Sequence, residues 1–219
     1  MRNRGKVRGE VIAMDLPEEV VERAKRNIEP FDTEGFVLGK GPVPADIMMV
    51  GEAPGENEVY DGEPFTGRAG KELDKQLSYL GWTREDVYIT SAVRSRPYKW
   101  EKRPNSEEKR KANRKPNKKE VKAHAELLDL QIETAEPKVI LLLGGVAYQR
   151  LVDEKGKISE VIGERLETPI LKYDREQDTY IPSDEKYIVI PLYHPAAVFY
   201  NPGIRDSIYD SLDRLKSYL

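Results

Sequence analysis

The 219-residue sequence contains no cysteine and only two histidines, His124 and His194. The first absence excludes disulfides, thiolate zinc sites and cysteine-ligated iron–sulfur clusters. With the two histidines far apart in the chain, a dedicated transition-metal site is not expected either. Long apolar runs are missing too: no stretch approaches the ~20 residues of a membrane span. The beginning, "MRNRGKVRGEVIAMDLPEEV", has basic residues but lacks the apolar centre of a signal peptide. A soluble, cytoplasmic protein is the expectation. There is no P-loop and no GxGxxG fingerprint, which counts against an ordinary nucleotide-binding protein. No internal repeat is found.

Hydrophobic residues make up 38% and charged residues 34%, enough to build one domain with a real core and a generous polar surface. A net charge of −3 argues against a generally basic coat but not against a local basic face. The stretch "YKWEKRPNSEEKRKANRKPNKKEVK", residues 98–122, holds eleven Lys/Arg against four Glu, a local excess of 11 − 4 = 7. The remainder is therefore acidic by −3 − 7 = −10. That distribution is how a nucleic-acid enzyme separates a contact face from a solubilising back.

Apolar periodicity then divides the chain. "LPEEVVERAKRN" reads as a short amphipathic helix, acidic at its start and basic at its end. "ADIMMV", "DVYITSAV", "KVILLLGG" and "YIVIPL" read as strands. "GKELDKQLSYLGW", "KKEVKAHAELLDLQIETAEP" and "IRDSIYDSLDRLKSYL" read as helices, with short helical pieces at "VAYQRLVDE" and "ISEVIGERL". "PILKY" adds a strand followed by a polar excursion, and the basic stretch reads as an exposed, mobile loop. Strands alternating with helices, three of them nearly uniformly apolar, predict an α/β fold with a mostly parallel sheet covered on both faces. One domain spans residues 1–219, with a helical N-terminal extension to about residue 44 and a basic insertion at about 98–119.

In such a sheet ligands bind beyond the carboxyl ends of the strands, and each core strand here ends in distinctive chemistry. "IMMVGEAPGENE" stops a buried strand at Gly51 and meets the carboxylate of Glu52. The glycines around Pro54 allow a tight turn and close approach of a flat ligand to bare peptide groups. "PFTGRAGKEL" places Phe65 before a glycine-rich start of a helix whose amide end suits a phosphate. Taken alone, Phe65 is a core aromatic. His194 ends the last core strand before Pro195, a position suited to a donor near neutral pH. His124 lies within a helical pattern and reads as a packing or surface residue.

The ordered set "GEAPGENE", "GEPFTGRAGKELD", "DVYITSAVRSRP", "KVILLLG" and "YHPAAVFYNP" resembles the uracil-DNA glycosylase superfamily, in particular its family four, the thermostable iron–sulfur branch. The resemblance runs from about Ala45 to the C-terminal helix. It implies a three-layer α/β/α sandwich around a four-stranded, mostly parallel sheet. It also implies an enzyme that flips a nucleotide out of DNA and hydrolyses its N-glycosidic bond. By this resemblance His194 donates to the leaving base and Phe65 stacks on its face. Gly51, Ala53 and Ser91 complete the base-binding contacts, and Glu52 is the carboxylate nearest the sugar and its water. Val198, Phe199 and Tyr200 are wedges pushed into the duplex, while Arg68, Lys71 and Arg96 contact DNA.

The sequence departs from the family at three places. Family four carries four cluster cysteines; here Ser95 and His124 stand at two of those positions and the N-terminal pair is missing, so no cluster, metal or other cofactor is expected. Ser91 replaces an asparagine whose amide pairs with the edge of uracil, leaving a shorter side chain that both donates and accepts. About sixteen extra residues, 98–113, interrupt a junction that the family makes short; Tyr98 and Trp100 there could stack on a base. The expectation is a monomeric, monofunctional DNA glycosylase of the uracil-repair type. Two alternatives stand beside it: excision of a hydroxymethylated or glycosylated base from phage DNA, and a non-catalytic protein that holds a base or abasic site.

Overall fold

A computed structural model describes residues 14–104 and 106–219; the first part of the expected N-terminal extension lies outside them. In chain order the elements are helix α1 (Glu18–Ile28) and strands β1 (Thr33–Glu34) and β2 (Ile47–Gly51), then helices α2 (Glu56–Asp61) and α3 (Arg68–Leu80). Strands β3 (Tyr88–Ser91), β4 (Arg96–Lys102) and β5 (Lys109–Asn113) follow, with helices α4 (Lys118–Ala123) and α5 (Ala125–Ala135) after them. The chain closes with β6 (Val139–Leu143), α6 (Gly145–Leu151), β7 (Leu166–Asp174), β8 (Thr179–Leu192), α7 (Ala197–Tyr200) and α8 (Arg205–Tyr218).

The main sheet has the order β3-β2-β6-β8-β7. Its first four strands are parallel to one another. Period-two alternation sends successive side chains to opposite faces. Met49, Leu141, Leu143 and Ile190 therefore pack with Leu73 and Leu77 of α3 and Leu212 of α8. Met48, Val50, Ile140 and Leu142 pack instead with Leu128 and Ile132 of α5 and Leu151 of α6. Two cores separated by one sheet make the three-layer sandwich. Helix α1 adds a small outer cluster, Val20 and Ala24 against Leu127.

The sheet carries a fifth strand beyond the expected four. Strand β7 pairs antiparallel with β8 at the sheet edge, because the polar excursion is a tight reversal around Asp174 to Asp178 and a hairpin connection forces antiparallel pairing. Of the short helical pieces, "ISEVIGERL" forms only a single 3₁₀ turn at Ile158–Glu160.

The basic stretch is the larger correction. It is an antiparallel hairpin of β4 and β5 joined to β1, rather than a mobile loop. Three bonds of one buried arginine hold it. Arg96 donates to Asn113 Oδ1 at 2.7 Å, to Glu34 Oε1 at 2.6 Å and to the Lys111 carbonyl at 3.1 Å. Charge composition suggested solvation, but the alternation of Tyr98 and Trp100 with charged residues is also a strand pattern.

Candidate active site

Because β2, β3, β6 and β8 are parallel, their carboxyl ends share one edge of the sheet. Chain order reverses direction between β2 and β6, the place where open α/β sheets open a crevice. A cleft of about 680 Å³ lies there, lined by Glu52 after β2, Ser91 at the end of β3, Phe65 before α3 and His194 after β8.

His194 is partly buried, and its ring centroid lies 5.8 Å from that of Phe65. Its Nδ1 accepts a hydrogen bond from the Ala196 amide at 3.1 Å. An accepting Nδ1 carries no proton, so the neutral ring holds its N–H at Nε2. Burial pushes the pKa down to about 4, against a smaller upward pull from Glu58. At neutral pH the ring is a neutral donor.

Glu52 shows the opposite effect. Burial raises its pKa, offset in part by the charge of Lys115 across the cleft. Its carboxylate accepts no hydrogen bond from any described residue, while its backbone carbonyl is bonded to the Val93 amide. A carboxylate free of partners beside a neutral histidine donor can face two charges of opposite sign in one substrate.

Gly51 has a different job from the expected one. It is absent from the cleft lining, and a Cβ added there would lie 2.8 Å from two ring atoms of Phe65. The flat group that needs the bare backbone is the protein's own phenyl ring, seated on the end of β2. Phe65 itself is held with φ at +56°, a conformation that disfavours L side chains. Arg84 stabilises it by donating to the Pro64 carbonyl at 3.0 Å and to the Phe65 carbonyl at 2.5 Å. The phenyl is nearly buried yet borders the cleft, so it is at once a core aromatic and a cleft wall.

Glu58 is the residue that sequence reasoning missed. Its buried carboxylate accepts from the Gly55 amide at 3.0 Å and from the Gly67 amide at 2.9 Å. It thereby ties the "GEAPG" turn to the start of α3. The Gly67 amide, expected to be open for phosphate, is occupied by this internal carboxylate. A glutamate three residues after Gly55 is capping-box spacing, a signal present in "GENE".

Other expected contacts divide. Ala53 and Ser91 border the cleft. Arg68 is exposed at its mouth with its guanidinium 4.4 Å from the Phe199 ring centre, and Lys71 is exposed on α3 away from the lining. Phe199 and Tyr200 project at 37% and 88% exposure, whereas Val198 is only 5% exposed and belongs to the core beside α8. Val198 is thus an anchor of α7 rather than a wedge. Arg96, at 3% exposure, spends its guanidinium on the hairpin and is not presented to DNA.

The two cluster positions do not fit an iron–sulfur group. Ser95 and His124 are both buried, and Ser95 Oγ and His124 Nε2 have no hydrogen-bond partner among the described residues. No thiolate exists in the sequence, and the buried Arg94 cation sits close enough to help push the His124 pKa down to about 3, with burial the larger cause.

Both histidines therefore resist protonation in the folded state. Below their ordinary value of 6.5 the unfolded chain takes up protons that the folded chain refuses, so stability falls as pH drops toward 4 and 3. By pH 4.5 the loss is roughly 2 to 3 kcal/mol per histidine. Thermal unfolding followed from pH 7 to pH 4.5 is expected to show a falling Tm, and the His124→Gln variant a shallower fall. An unchanged slope in that variant would place the effect elsewhere.

The family model described as "Uracil DNA glycosylase superfamily" matches residues 38–213. The Type-4 uracil-DNA glycosylase of Sulfurisphaera tokodaii is 35% identical over 203 residues, 92% of this chain and 82% of that protein. The enzyme of the same name from Archaeoglobus fulgidus is 37% identical over 201 residues, 90% and 87% of the two chains. Among solved structures, wild-type SMUG2 of Pedobacter heparinus is a distant likeness, with a TM-score of 0.46 and 14% identity over 80% of this chain and 74% of that one. The chain belongs to the uracil-DNA glycosylase superfamily, alongside its type-4 members.

Proposed function

We propose that this protein is a monofunctional DNA glycosylase that removes uracil from DNA. The observation that carries the reading is the pairing of a neutral His194, its proton on Nε2, with the unpartnered Glu52 carboxylate in one cleft. Cleavage of the bond between the sugar C1′ and the base nitrogen sends the electron pair to the base. Negative charge develops on the base oxygens and positive charge on the sugar. His194 Nε2–H donates to the former, and preorganised donors of this kind supply a large share of catalysis. The Glu52 carboxylate stabilises the cationic sugar and orients the water that adds its oxygen to C1′, accepting the proton released. Phe65 stacks on the base, Ala53 and Ser91 border its edge, and Phe199 with Tyr200 fills the space left in the duplex. Arg68 and Lys71 meet phosphate.

The test is base release followed by mass spectrometry. The DNA panel contains uracil, hypoxanthine, hydroxymethyluracil, hydroxymethylcytosine and its glucosylated form. Free uracil is the expected main product. Release of a bulky modified base alone, or tight binding without product, would overturn this reading in favour of a modified-base glycosylase or a non-catalytic binder, neither of which has an observation of its own. Ser91 lies at the end of β3 opposite Gly51 and offers one oxygen that donates and accepts, where an amide would offer a separate donor and acceptor at fixed positions. Ser91→Asn is expected to raise uracil-over-cytosine discrimination roughly tenfold, the worth of one added hydrogen bond. Equal kcat/KM ratios for the two proteins would remove position 91 from base recognition.

A further inference from the structure

The β4–β5 hairpin, which the proposed chemistry does not use, carries its own arrangement of groups. Cross-strand register places Tyr98, Trp100 and Lys102 opposite Asn113, Lys111 and Lys109 on one face. Trp100 is 58% exposed. Lys102 lies directly opposite Lys109, a like-charge pairing that disfavours the hairpin by itself. Lys102 reaches Glu107 at 2.7 Å, while Lys109 has no ion pair among the described residues and Arg110 lies opposite Glu101. An unpaired lysine beside an exposed indole is the complement of an anionic chain with flat groups.

The surroundings give this face a direction. A second cleft of about 650 Å³ is lined by Trp100, Arg103, Lys109 and Arg110. Its carboxylates do not repel an anion strongly, because Glu34 is bonded to Arg96 and Lys111 and Glu56 lies 3.6 Å from Arg96. Glu56 borders both this cleft and the candidate active site. Asn113, the last residue of β5, lines the candidate active site as well. A track therefore runs outward along β5 for about 14 Å, at ~3.4 Å per residue, from the active cleft to the cationic hairpin tip.

We propose that the hairpin is a second DNA-binding surface that takes unpaired nucleotides flanking the flipped one, with Trp100 stacking on a base and Lys109 and Arg110 meeting phosphates. An indole face needs the π-face of a base, and base pairs inside a duplex expose only their edges; the preference is for single-stranded DNA. This inference rests on the glycosylase reading for its place beside the active site, yet it is measured without catalysis.

The experiment is fluorescence anisotropy with a labelled oligothymidylate, which holds no excisable uracil, as a single strand and as the matching duplex. Trp100→Ala is expected to weaken single-strand binding about 5- to 100-fold, as for loss of one stacked base, and duplex binding less than twofold. The Lys109→Ala/Arg110→Ala double variant is expected to flatten the dependence of log affinity on log salt by about 1.4, two contacts at ~0.7 each. All three positions are on the hairpin surface, and an unchanged Tm verifies folding. Unchanged single-strand affinity in both variants, or an equal loss on duplex and single strand for Trp100→Ala, would overturn the proposal. If uracil is not released while these binding changes appear, the failure belongs to the glycosylase reading alone.

Discussion

His194→Ala is expected to lower kcat/KM for uracil release by about 10²- to 10³-fold, the range for removing one preorganised donor to a developing anion. The prediction rests on the tautomer. With Nδ1 occupied by the Ala196 amide, only Nε2–H remains to meet the base, and burial keeps the ring uncharged down to about pH 4. His194→Gln retains an amide donor and is expected to recover part of the loss. His194→Asn, one bond shorter, is expected to recover less. Single-turnover kinetics on uracil-containing oligonucleotides would measure all three, with binding to the intact substrate measured separately. A loss below fivefold in His194→Ala would mean that departure of the base is carried by other groups.

The second large effect is one of shape. Gly70→Ala places a methyl inside α3, where the exchange of glycine for alanine ordinarily stabilises a helix by about 1 kcal/mol. Here the added Cβ would stand 1.7 Å from the Phe65 carbonyl oxygen and 2.3 Å from its carbonyl carbon. Neither atom is the free end of a flexible side chain. The Phe65 carbonyl is also held by Arg84, and its left-handed backbone has little room to turn. The helix or the Phe65 turn must move, at an expected loss of about 3 kcal/mol. Uracil release should fall with it, because Phe65 forms a wall of the cleft. Chemical denaturation would report the first change and product assays the second. A variant as stable as the parent or more so would show that the Phe65 turn is soft, and would remove the claim that this backbone places the ring.

Much of the architecture was legible from periodicity because it follows from burial. The run "VILLL" reads as a strand buried on both faces, and Val139–Leu143 does feed both cores. Leu73 and Leu77 at helical spacing face the sheet, since the apolar stripe of a helix has nowhere else to go. The hairpin was less legible. Its composition is that of a solvated loop, and its order depends on Arg96, whose partners Glu34 and Asn113 are remote in sequence. The fifth strand was legible at "PILKY", but its full length, Leu166–Asp174, and its place at the sheet edge were not, for a related reason. Edge strands half-covered by solvent carry a weak apolar signal, and β7 has few buried residues.

Local chemistry alone determined that the chain holds no thiolate, that its core strands end in Glu52, Ser91 and His194, and that one stretch is strongly basic. These are properties of residue type and order, and they survive in any conformation. Only the tertiary structure decided that Gly51 seats Phe65 and that Glu58 closes the turn onto α3. It also decided that Val198 and Arg96 turn inward while Tyr200 and Trp100 turn out. Each of these depends on which distant segment fills the space beside a residue, and the sheet settles that by bringing the ends of four parallel strands to one edge.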